Sequence, residues 1–480
     1  MADNILLIVA DTARADIFYQ LLDSGHLPNV QSLIGSGCQY KRAISPSPWS
    51  LPSHANIFTG RLASDHGAHA GNKRFDPTTP TIAELLRDGG YRTAALSGNI
   101  WISPHFGFER GFEQFSMKYD RLWSGADLSS TVKAGSFRER VEKFAESVGM
   151  KTAFPTLVNG IYSKYQLRKQ HKGGPNTTRR TRAWIRQHGT DDKPFFYFLS
   201  YLEPHLEYRP PEHLTEQFLP SDIHYDEAMS IKQEPWRYIA GDVKYSDREF
   251  DALRALYKAT LVFVDEQIGA LIDELESQSI RDETTIIVVA DHGENIGDYG
   301  LMDHQYCLYQ TLVQVPLIIS GSEFDTDPVL DLVSTRDLFP TILDIAGIEP
   351  PDHAGISRNS LIDSDREVAI SEYLAPQPSI DSLRKRVGAE IQSDRPLDRT
   401  YRAIQTTEWK LIEASDGSVE LYNLSQDSQE IDECSNEYPD QVEVLRDELE
   451  ERDVPISQQE TGEILADERT QQRLADLGYI

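Results

Sequence analysis

The chain has 480 residues and a hydrophobic fraction of 39%, which is enough for one large folded domain and a smaller one. Its formal net charge of −30 at pH 7 disfavours nucleic acid as a partner, because phosphate contacts need clustered positive charge. No apolar stretch is long enough to span a membrane, and no basic segment or cleavage site precedes the first strand candidate, so we expect a cytoplasmic protein.

Short, continuously apolar runs recur along the chain and predict strands at 5–11, 93–99, 195–201, 285–291 and 315–321. Continuous runs, as opposed to alternating ones, indicate strands that are covered on both faces, and hence a mostly parallel sheet. Helical spacing between them is clearest at 81–90 and 256–277. The pattern predicts an α/β fold, a doubly wound and mostly parallel sheet flanked by helices.

The pattern is helical and irregular from about 118 to 190, where a basic stretch occupies 164–186. We interpret this region as a helical insertion with a solvated charged face, and the alternative is that the basic stretch guides an anionic substrate. Both interpretations assign the region to the larger domain.

The pattern of predicted elements changes after residue 355. Short strand candidates at 401–414 and 419–424 there precede an acidic helix at 438–451. We therefore expect a catalytic domain over 1–360 and a smaller C-terminal α+β subdomain over 361–480.

Polar residues follow several of the predicted strands. In doubly wound folds ligands bind beyond the carboxyl ends of the strands, where Asp11, Asn99 and Asp291 would lie. A lone aspartate after a strand is more often a turn or helix cap. Two aspartates at one edge, with His292 directly after the second, favour a metal site instead.

Ser50 begins the stretch SLPSHANIFTG, which has proline in its first turn and glycine at its end, as a short helix does. The amino end of this helix would favour an anion beside Ser50. From these residues alone Ser50 is a nucleophile, a metal ligand or only a helix cap.

Five stretches in this order resemble the sulfatase family of the alkaline phosphatase superfamily and cover the chain from about 4 to 425. They read NILLIVADTARAD, SPWSLPSHANIFTG, YLEPHLEYRPP, ADHGENIGDYGLMDH with the following LYQTLVQVPLI, and ELYNL. The resemblance implies an alkaline phosphatase-like fold and a nucleophile that also coordinates a divalent metal ion.

Carried over by matching position, the resemblance assigns three sets of residues. The metal ligands would be Asp11, Ser50, Asp291 and His292. The catalytic residues would be Ser50, with His205 and His304 acting on the leaving group or the substrate oxygens. Candidate substrate contacts are Arg14, His54 and Asn99, the last of which ends a neighbouring strand candidate.

The chain departs from the family pattern in three places. Asp11 is followed by threonine, where many sulfatases have a second aspartate, and His292 stands where many have asparagine. An imidazole ligand fits Mn²⁺ or Zn²⁺ better than Ca²⁺, although all three stay open. The formylglycine signature Cys-x-Pro-x-Arg is replaced, with Ser50 for cysteine and His54 for arginine, so we expect an unmodified hydroxyl.

The resemblance implies hydrolysis of a sulfate ester, with a small anionic ester such as a sulfated or phosphorylated sugar as substrate. The local chemistry leaves open a phosphomonoester, phosphodiester or phosphonate ester hydrolase, or a transferase of such a group. A non-catalytic binding protein is disfavoured, because such a protein has little reason to keep all four of the metal-site residues.

The acidic excess also predicts adaptation to high salt, because screening weakens the mutual repulsion of surface carboxylates. The Debye length rises from about 3 Å at 1 M salt to about 30 Å at 0.01 M, so repulsion should loosen the fold on dilution. We expect the melting temperature to fall as salt is diluted, and a constant melting temperature would contradict a halophilic protein.

Overall fold

A computed structural model describes residues 3–118, 173–353, 355–388, 390–393, 395–456 and 462 of the chain. Most of the predicted insertion at 118–190, and the first part of the basic stretch at 164–186, lie outside these described residues. The end of that stretch forms a helix, Gly174–His188.

The strands, numbered in chain order, fall into one large sheet, one smaller sheet and a two-stranded hairpin. Their bounds are β1 Asn4–Ala10, β2 Gly37–Ile44, β3 Arg92–Ser97, β4 Gln114–Met117, β5 Phe195–Tyr201, β6 Thr284–Val289, β7 Asn295–Ile296, β8 Met302–Asp303, β9 Gln314–Ser320, β10 Val329–Ser334, β11 Ala369–Tyr373, β12 Tyr401–Gln405, β13 Trp409–Ala414 and β14 Val419–Asn423.

The described helices vary from one turn to thirty-one residues. None of them combines the length and the apolar character needed to cross a membrane. Their bounds are α1 Ala15–Asp23, α2 Pro28–Ile34, α3 Ser50–Thr59, α4 Ala63–His66, α5 Ile82–Asp88, α6 Gly174–His188, α7 Glu212–Thr215, α8 Tyr225–Ser230, α9 Pro235–Ile239, α10 Asp247–Ser277, α11 Gln310–Val313, α12 Leu338–Ile345, α13 Ile380–Val387 and α14 Pro439–Glu451.

The large sheet has the order β10-β2-β9-β6-β1-β5-β3-β4. Strands β6, β1, β5, β3 and β4 run parallel, and all residues of β1, β5 and β6 are buried. Strand β9 is antiparallel to both of its neighbours. The predicted α/β fold with a mostly parallel sheet is confirmed, and the carboxyl ends of β1, β3, β5 and β6 meet at one edge.

The smaller sheet is antiparallel, in the order β11-β12-β13-β14. The predicted strand at 401–414 is in fact two strands, β12 and β13, paired as a hairpin. Helix α14 packs on this sheet through Leu445 and Leu449. This sheet lies within the range expected for the C-terminal subdomain, whose boundary near 360 stays a prediction.

A buried ion pair in the C-terminal part of the chain contacts the segment that follows β8. Nζ of Lys410, on β13, lies 2.6 Å from Oε1 of Glu430, and both side chains are almost fully buried. Lys410 also donates to the carbonyl of Leu308 at 2.6 Å, and Glu430 accepts from the backbone N–H of Gln310. The segment just after His304 is therefore held by residues of the C-terminal part of the chain.

Candidate active site

Three of the predicted site residues lie where parallel strands end. Asp11 directly follows β1, Asn99 follows β3 and Asp291 follows β6, and all three are fully buried. The Nδ2 group of Asn99 donates to Oδ2 of Asp11 at 2.5 Å. The adjacency expected from the strand ends is therefore present in the structure.

Ser50 is the first residue of α3, and Trp49, in an extended conformation, occupies the N-cap position. The interpretation of Ser50 as only a helix cap is wrong, because no side chain caps this helix. Ser50 Oγ instead lies 3.2 Å from Nε2 of His292 and accepts from Nδ2 of Asn99 at 3.0 Å. Its hydroxyl is thus directed into the cluster at the sheet edge.

Two serines, Ser45 directly after β2 and Ser53 within α3, are bonded to the segment after β6. The hydroxyls of Ser45 and Ser53 both donate to the backbone carbonyl of Asp291 at 2.6 Å. Glycine is required at the next turn, because a Cβ on Gly293 would lie 1.9 Å from the carbonyl oxygen of Thr311. These contacts hold Asp291 and His292 against the first turn of α3.

His292 presents a lone pair to the cluster. Its Nδ1 lies 2.9 Å from the carbonyl of Gly293, and a carbonyl only accepts, so the proton belongs on Nδ1. Burial lowers the pKa of His292 to about 4, which keeps the ring neutral at physiological pH. Nε2 is therefore available as a ligand.

The carboxylates of Asp11 and Asp291 each have one oxygen that accepts no hydrogen bond. Asp291 Oδ1 accepts from the backbone N–H groups of Thr12 and His292, whereas its Oδ2, like Oδ1 of Asp11, has no hydrogen-bond partner. Burial, and then the charge of Asp291, raise the pKa of Asp11 well above its usual value. Two buried carboxylates with bare oxygens favour a cation between them.

This donor set fits the divalent metal that the resemblance implies. Ligand atoms of Asp11, Asp291 and His292 all lie within 4.8 Å of one another, and Ser50 Oγ is adjacent. A mixture of carboxylate and imidazole donors is one that Mn²⁺ and Zn²⁺ accept, whereas Ca²⁺ prefers oxygen alone. The residues present therefore fit a metal ion.

His54 lies one turn after Ser50 and is completely buried. Its Nδ1 donates to the carbonyl of Ser50 at 2.8 Å and lies 3.5 Å from Oδ2 of Asp291. The ring packs edge-on against Phe108 and Phe198. This places His54 in support of Ser50 and Asp291, and its contact with substrate stays a prediction.

The guanidinium of Arg14 is already engaged. It forms two bonds to Asp16 at 3.0 and 2.8 Å, one to Asp298 at 2.7 Å and one to the carbonyl of Glu294 at 3.2 Å. These bonds connect the loop after β1 to the segment after β6. Four of its five N–H groups are used in this way, so a contact between Arg14 and substrate, which stays a prediction, would use the remaining N–H group on Nη2.

The two other predicted catalytic histidines lie beside the cluster. The ring of His304 is 4.4 Å from that of His292 and 5.2 Å from that of His205, measured between centroids. Both His205 and His304 are buried. The structure thus brings the sequence-predicted catalytic and metal-binding residues to one place.

Two further acidic residues at this place were missed by sequence reasoning. Glu294 Oε1 lies 3.5 Å from Nδ1 of His304, and Asp303 forms an ion pair with the same nitrogen. Hairpin strands β7 and β8 bring them together, with Asn295 paired to Asp303. Both residues lie within the motif that carries His292 and His304, and that clustering of acidic residues was the available signal.

Comparisons with known proteins agree with this geometry. The chain is 28% identical over 363 residues to an uncharacterized sulfatase, YidJ, of Escherichia coli, covering 73% of this chain and 69% of the relative. It is 25% identical over 473 residues to arylsulfatase K of Bos taurus, covering 92% and 79% of the two chains.

The structure resembles that of the phosphonate monoester hydrolase of Agrobacterium radiobacter, with a TM-score of 0.66, 19% identity and coverage of 94% and 95%. At that identity the likeness shows a shared fold. The Sulfatase family model matches residues 3–348, which include every residue of the cluster. The chain is therefore a member of the sulfatase family.

Proposed function

We propose that the protein is a metal-dependent hydrolase of sulfate esters in which the unmodified hydroxyl of Ser50 is the nucleophile. The observation that carries this proposal is the position of Ser50 Oγ, 3.2 Å from Nε2 of His292 and 3.0 Å from Nδ2 of Asn99. Membership of the sulfatase family supports sulfate esters as the substrate class. The name of one relative, arylsulfatase K, supports an aryl sulfate as a substrate.

One divalent ion would be held by Asp11, Ser50, Asp291 and His292, with Mn²⁺ or Zn²⁺ favoured over Ca²⁺ by the imidazole. When bound, the ion lowers the pKa of the Ser50 hydroxyl and neutralises charge on the ester oxygens.

Each residue of the site has a separate role in the reaction. Ser50 Oγ, whose proton passes to solvent because its pKa is lowered, attacks sulfur, so that a bond from Oγ to sulfur forms and the bond from sulfur to the leaving alkoxide breaks. Backbone N–H groups at the start of α3 receive the sulfate oxygens, and Asn99 stabilises charge on Oγ through its amide. His205 or His304 gives a proton to the leaving alcohol. The same histidine, now neutral, takes a proton from water, which attacks sulfur and displaces the Ser50 oxygen, so that hydrogen sulfate is released.

The chemistry of an unmodified serine favours a second candidate, hydrolysis of a phosphate or phosphonate ester. A formylglycine hydrate can expel sulfate by collapsing to the aldehyde, whereas a serine ester has to be cleaved by a second displacement. A phosphoserine intermediate is well suited to that step. The same residues would act in the same order on phosphorus.

A paired assay distinguishes the two candidates. Metal-stripped protein is reconstituted separately with Mn²⁺, Zn²⁺ and Ca²⁺ and supplied with an aryl sulfate or the matching aryl phosphate. We expect the aryl sulfate to have the higher kcat/KM, with Mn²⁺ or Zn²⁺ as the best ion. A higher kcat/KM for the phosphate in every metal form would replace the first proposal by the second.

A further inference from the structure

A cavity lies between the smaller sheet and the segment that follows His304. It has a volume of about 170 Å³ and is lined by residues of three stretches, 306–309, 395–401 and 412–420. None of these residues belongs to the cluster around Ser50. We propose that this cavity binds a small planar organic anion, such as an aromatic carboxylate, at a site separate from the catalytic one. The proposal goes beyond the proposed function and does not depend on it.

The walls of the cavity are mostly aromatic and aliphatic. Tyr306 and Tyr309 belong to the segment after His304, whereas Tyr401 and Ile412 belong to β12 and β13. A protein cavity of about 150 Å³ admits benzene, so a volume of about 170 Å³ is sufficient for one aromatic ring. Tyrosine rings pack favourably on such a ring in offset or edge-on contact.

The guanidinium group of Arg395 gives the cavity a cationic wall. Its Nη2 donates to the hydroxyl of Tyr309 at 3.2 Å, and its carbon lies 5.4 Å from the centre of the Tyr309 ring. Within the described part of the chain, the Arg395 side chain makes no other hydrogen bond. Arginine offers paired N–H groups that match the two oxygens of a carboxylate. Arg395 can therefore receive the charged end of a ligand.

Arg399 adds a second cationic group to the lining. Its Nη1 donates to Oγ of Ser418 at 3.2 Å, and its Nη2 forms an ion pair with Asp416. Its Nε is buried and has no hydrogen-bond partner among the described residues. A buried donor in this state is costly, and an oxygen of a bound anion would satisfy it.

The acidic and thiol groups of the lining do not cancel this positive charge. Oε2 of Glu420 accepts hydrogen bonds from the hydroxyls of Tyr309 and Tyr422, both at 2.8 Å. Burial raises the pKa of the Cys307 thiol to about 11, so this part of the wall is neutral. The lining thus has two guanidinium groups and one carboxylate, in a chain whose net charge is −30. A positive cavity in so acidic a protein favours an anionic ligand.

A cavity filled only by water is the rival interpretation. Arg395, Arg399 and Tyr401 are half-buried and Pro396 is exposed, so the cavity opens to solvent. Long arginine side chains commonly keep their charged ends in water while the rest of the side chain is buried. On this view the aromatic walls select no ligand, and an aromatic carboxylate binds no better than acetate.

Calorimetric titration with benzoate tests the proposal. Full-length protein loaded with Mn²⁺ is titrated at low salt, because screening weakens a contact between arginine and a carboxylate. We expect one equivalent of benzoate to bind. Acetate lacks the ring and benzamide lacks the charge, so each should bind at least about tenfold more weakly. No binding of benzoate, or equal binding of acetate, would overturn the proposal.

Substitution of Arg395 tests the assigned residue. Arg395→Gln removes the charge and should weaken benzoate binding at least about tenfold. Arg384→Gln makes the same change at an exposed arginine of α13 and should bind benzoate as the unchanged protein does. Asp291→Asn should also bind it normally. Full affinity in Arg395→Gln would overturn the proposal, and so would loss of binding in Asp291→Asn, which would assign benzoate to the catalytic metal site.

Photolabelling locates the ligand without any substitution and so stays decisive if Arg395→Gln fails to fold. Circular dichroism and thermal melting establish whether each variant is folded. The unchanged protein is irradiated with 4-azidobenzoate, and the labelled peptides are identified by mass analysis. We expect label in peptides that contain 306–309 or 395–401, and we expect excess benzoate to prevent it. Label confined to other peptides would overturn the proposal.

Discussion

Ser50→Ala is expected to lower kcat/KM by several powers of ten and to leave the fold intact. Each tenfold loss corresponds to roughly 1.4 kcal/mol of barrier, and loss of an activated nucleophile removes the covalent route entirely. Stability should fall by only about 1–2 kcal/mol, because Trp49 and not Ser50 is the N-cap and the hydroxyl makes two hydrogen bonds, with Asn99 Nδ2 and His292 Nε2. Steady-state kinetics and thermal melting measure the two effects.

Ser47→Ala is a matched control for this variant. Ser47 is also buried, three residues earlier in the loop before α3, and its hydroxyl has no hydrogen-bond partner. Its loss should therefore leave turnover unchanged. A folded, metal-loaded Ser50→Ala protein with nearly full activity would mean that water attacks the ester directly. Peptide mass analysis should find serine at position 50 without the loss of two hydrogens that formylglycine formation causes.

Asp291→Asn is expected to abolish activity. It should also sharply lower the affinity for metal at the site of Asp11, Ser50, Asp291 and His292. Asparagine can keep the bonds from the backbone N–H groups of Thr12 and His292, so the variant removes charge and a ligand oxygen while preserving shape. Loss of an outer partner of a ligand already costs roughly 10- to 100-fold in metal affinity, and loss of a carboxylate ligand should cost more. Metal titration and activity are measured on the same preparation.

His292→Ala is the companion to Asp291→Asn. Water can replace one neutral ligand, so metal affinity should fall less than in Asp291→Asn. Unchanged affinity in His292→Ala would show that this ring is only structural. Full metal occupancy in Asp291→Asn would contradict the assignment of Asp291 as a metal ligand.

The sequence predicted the centre of the large sheet better than its edges. Strands β1, β5 and β6 are buried throughout, so their residues had to form continuous apolar runs. Strand β2 contains Lys41 and Arg42, and β10 exposes most of Leu330, so neither forms such a run. An apolar run carries no information on direction, which explains why the antiparallel course of β9 could not be foreseen.

The same reasoning explains which site residues could be found. Asp11, Asn99 and Asp291 follow strands that are plain in the sequence, so their meeting at one edge was predictable. Glu294 and Asp303 are joined by strands of two residues, too short to show any periodicity. Ser50 stayed ambiguous because capping depends on the backbone of Trp49, which residue types alone do not fix.

The buried pair of Lys410 and Glu430 affects when the segment after His304 can fold during synthesis. Lys410 holds Leu308 across 102 positions of sequence, and Glu430 holds Gln310 across 120. The segment that follows His304 therefore forms these contacts only after Lys410 and Glu430 have left the ribosome. Bringing together residues so far apart in sequence has a high entropic cost and slows folding. The family match ends at residue 348, before both partners. A nascent chain that already contains every predicted site residue is thus still without the contacts that hold the segment after His304.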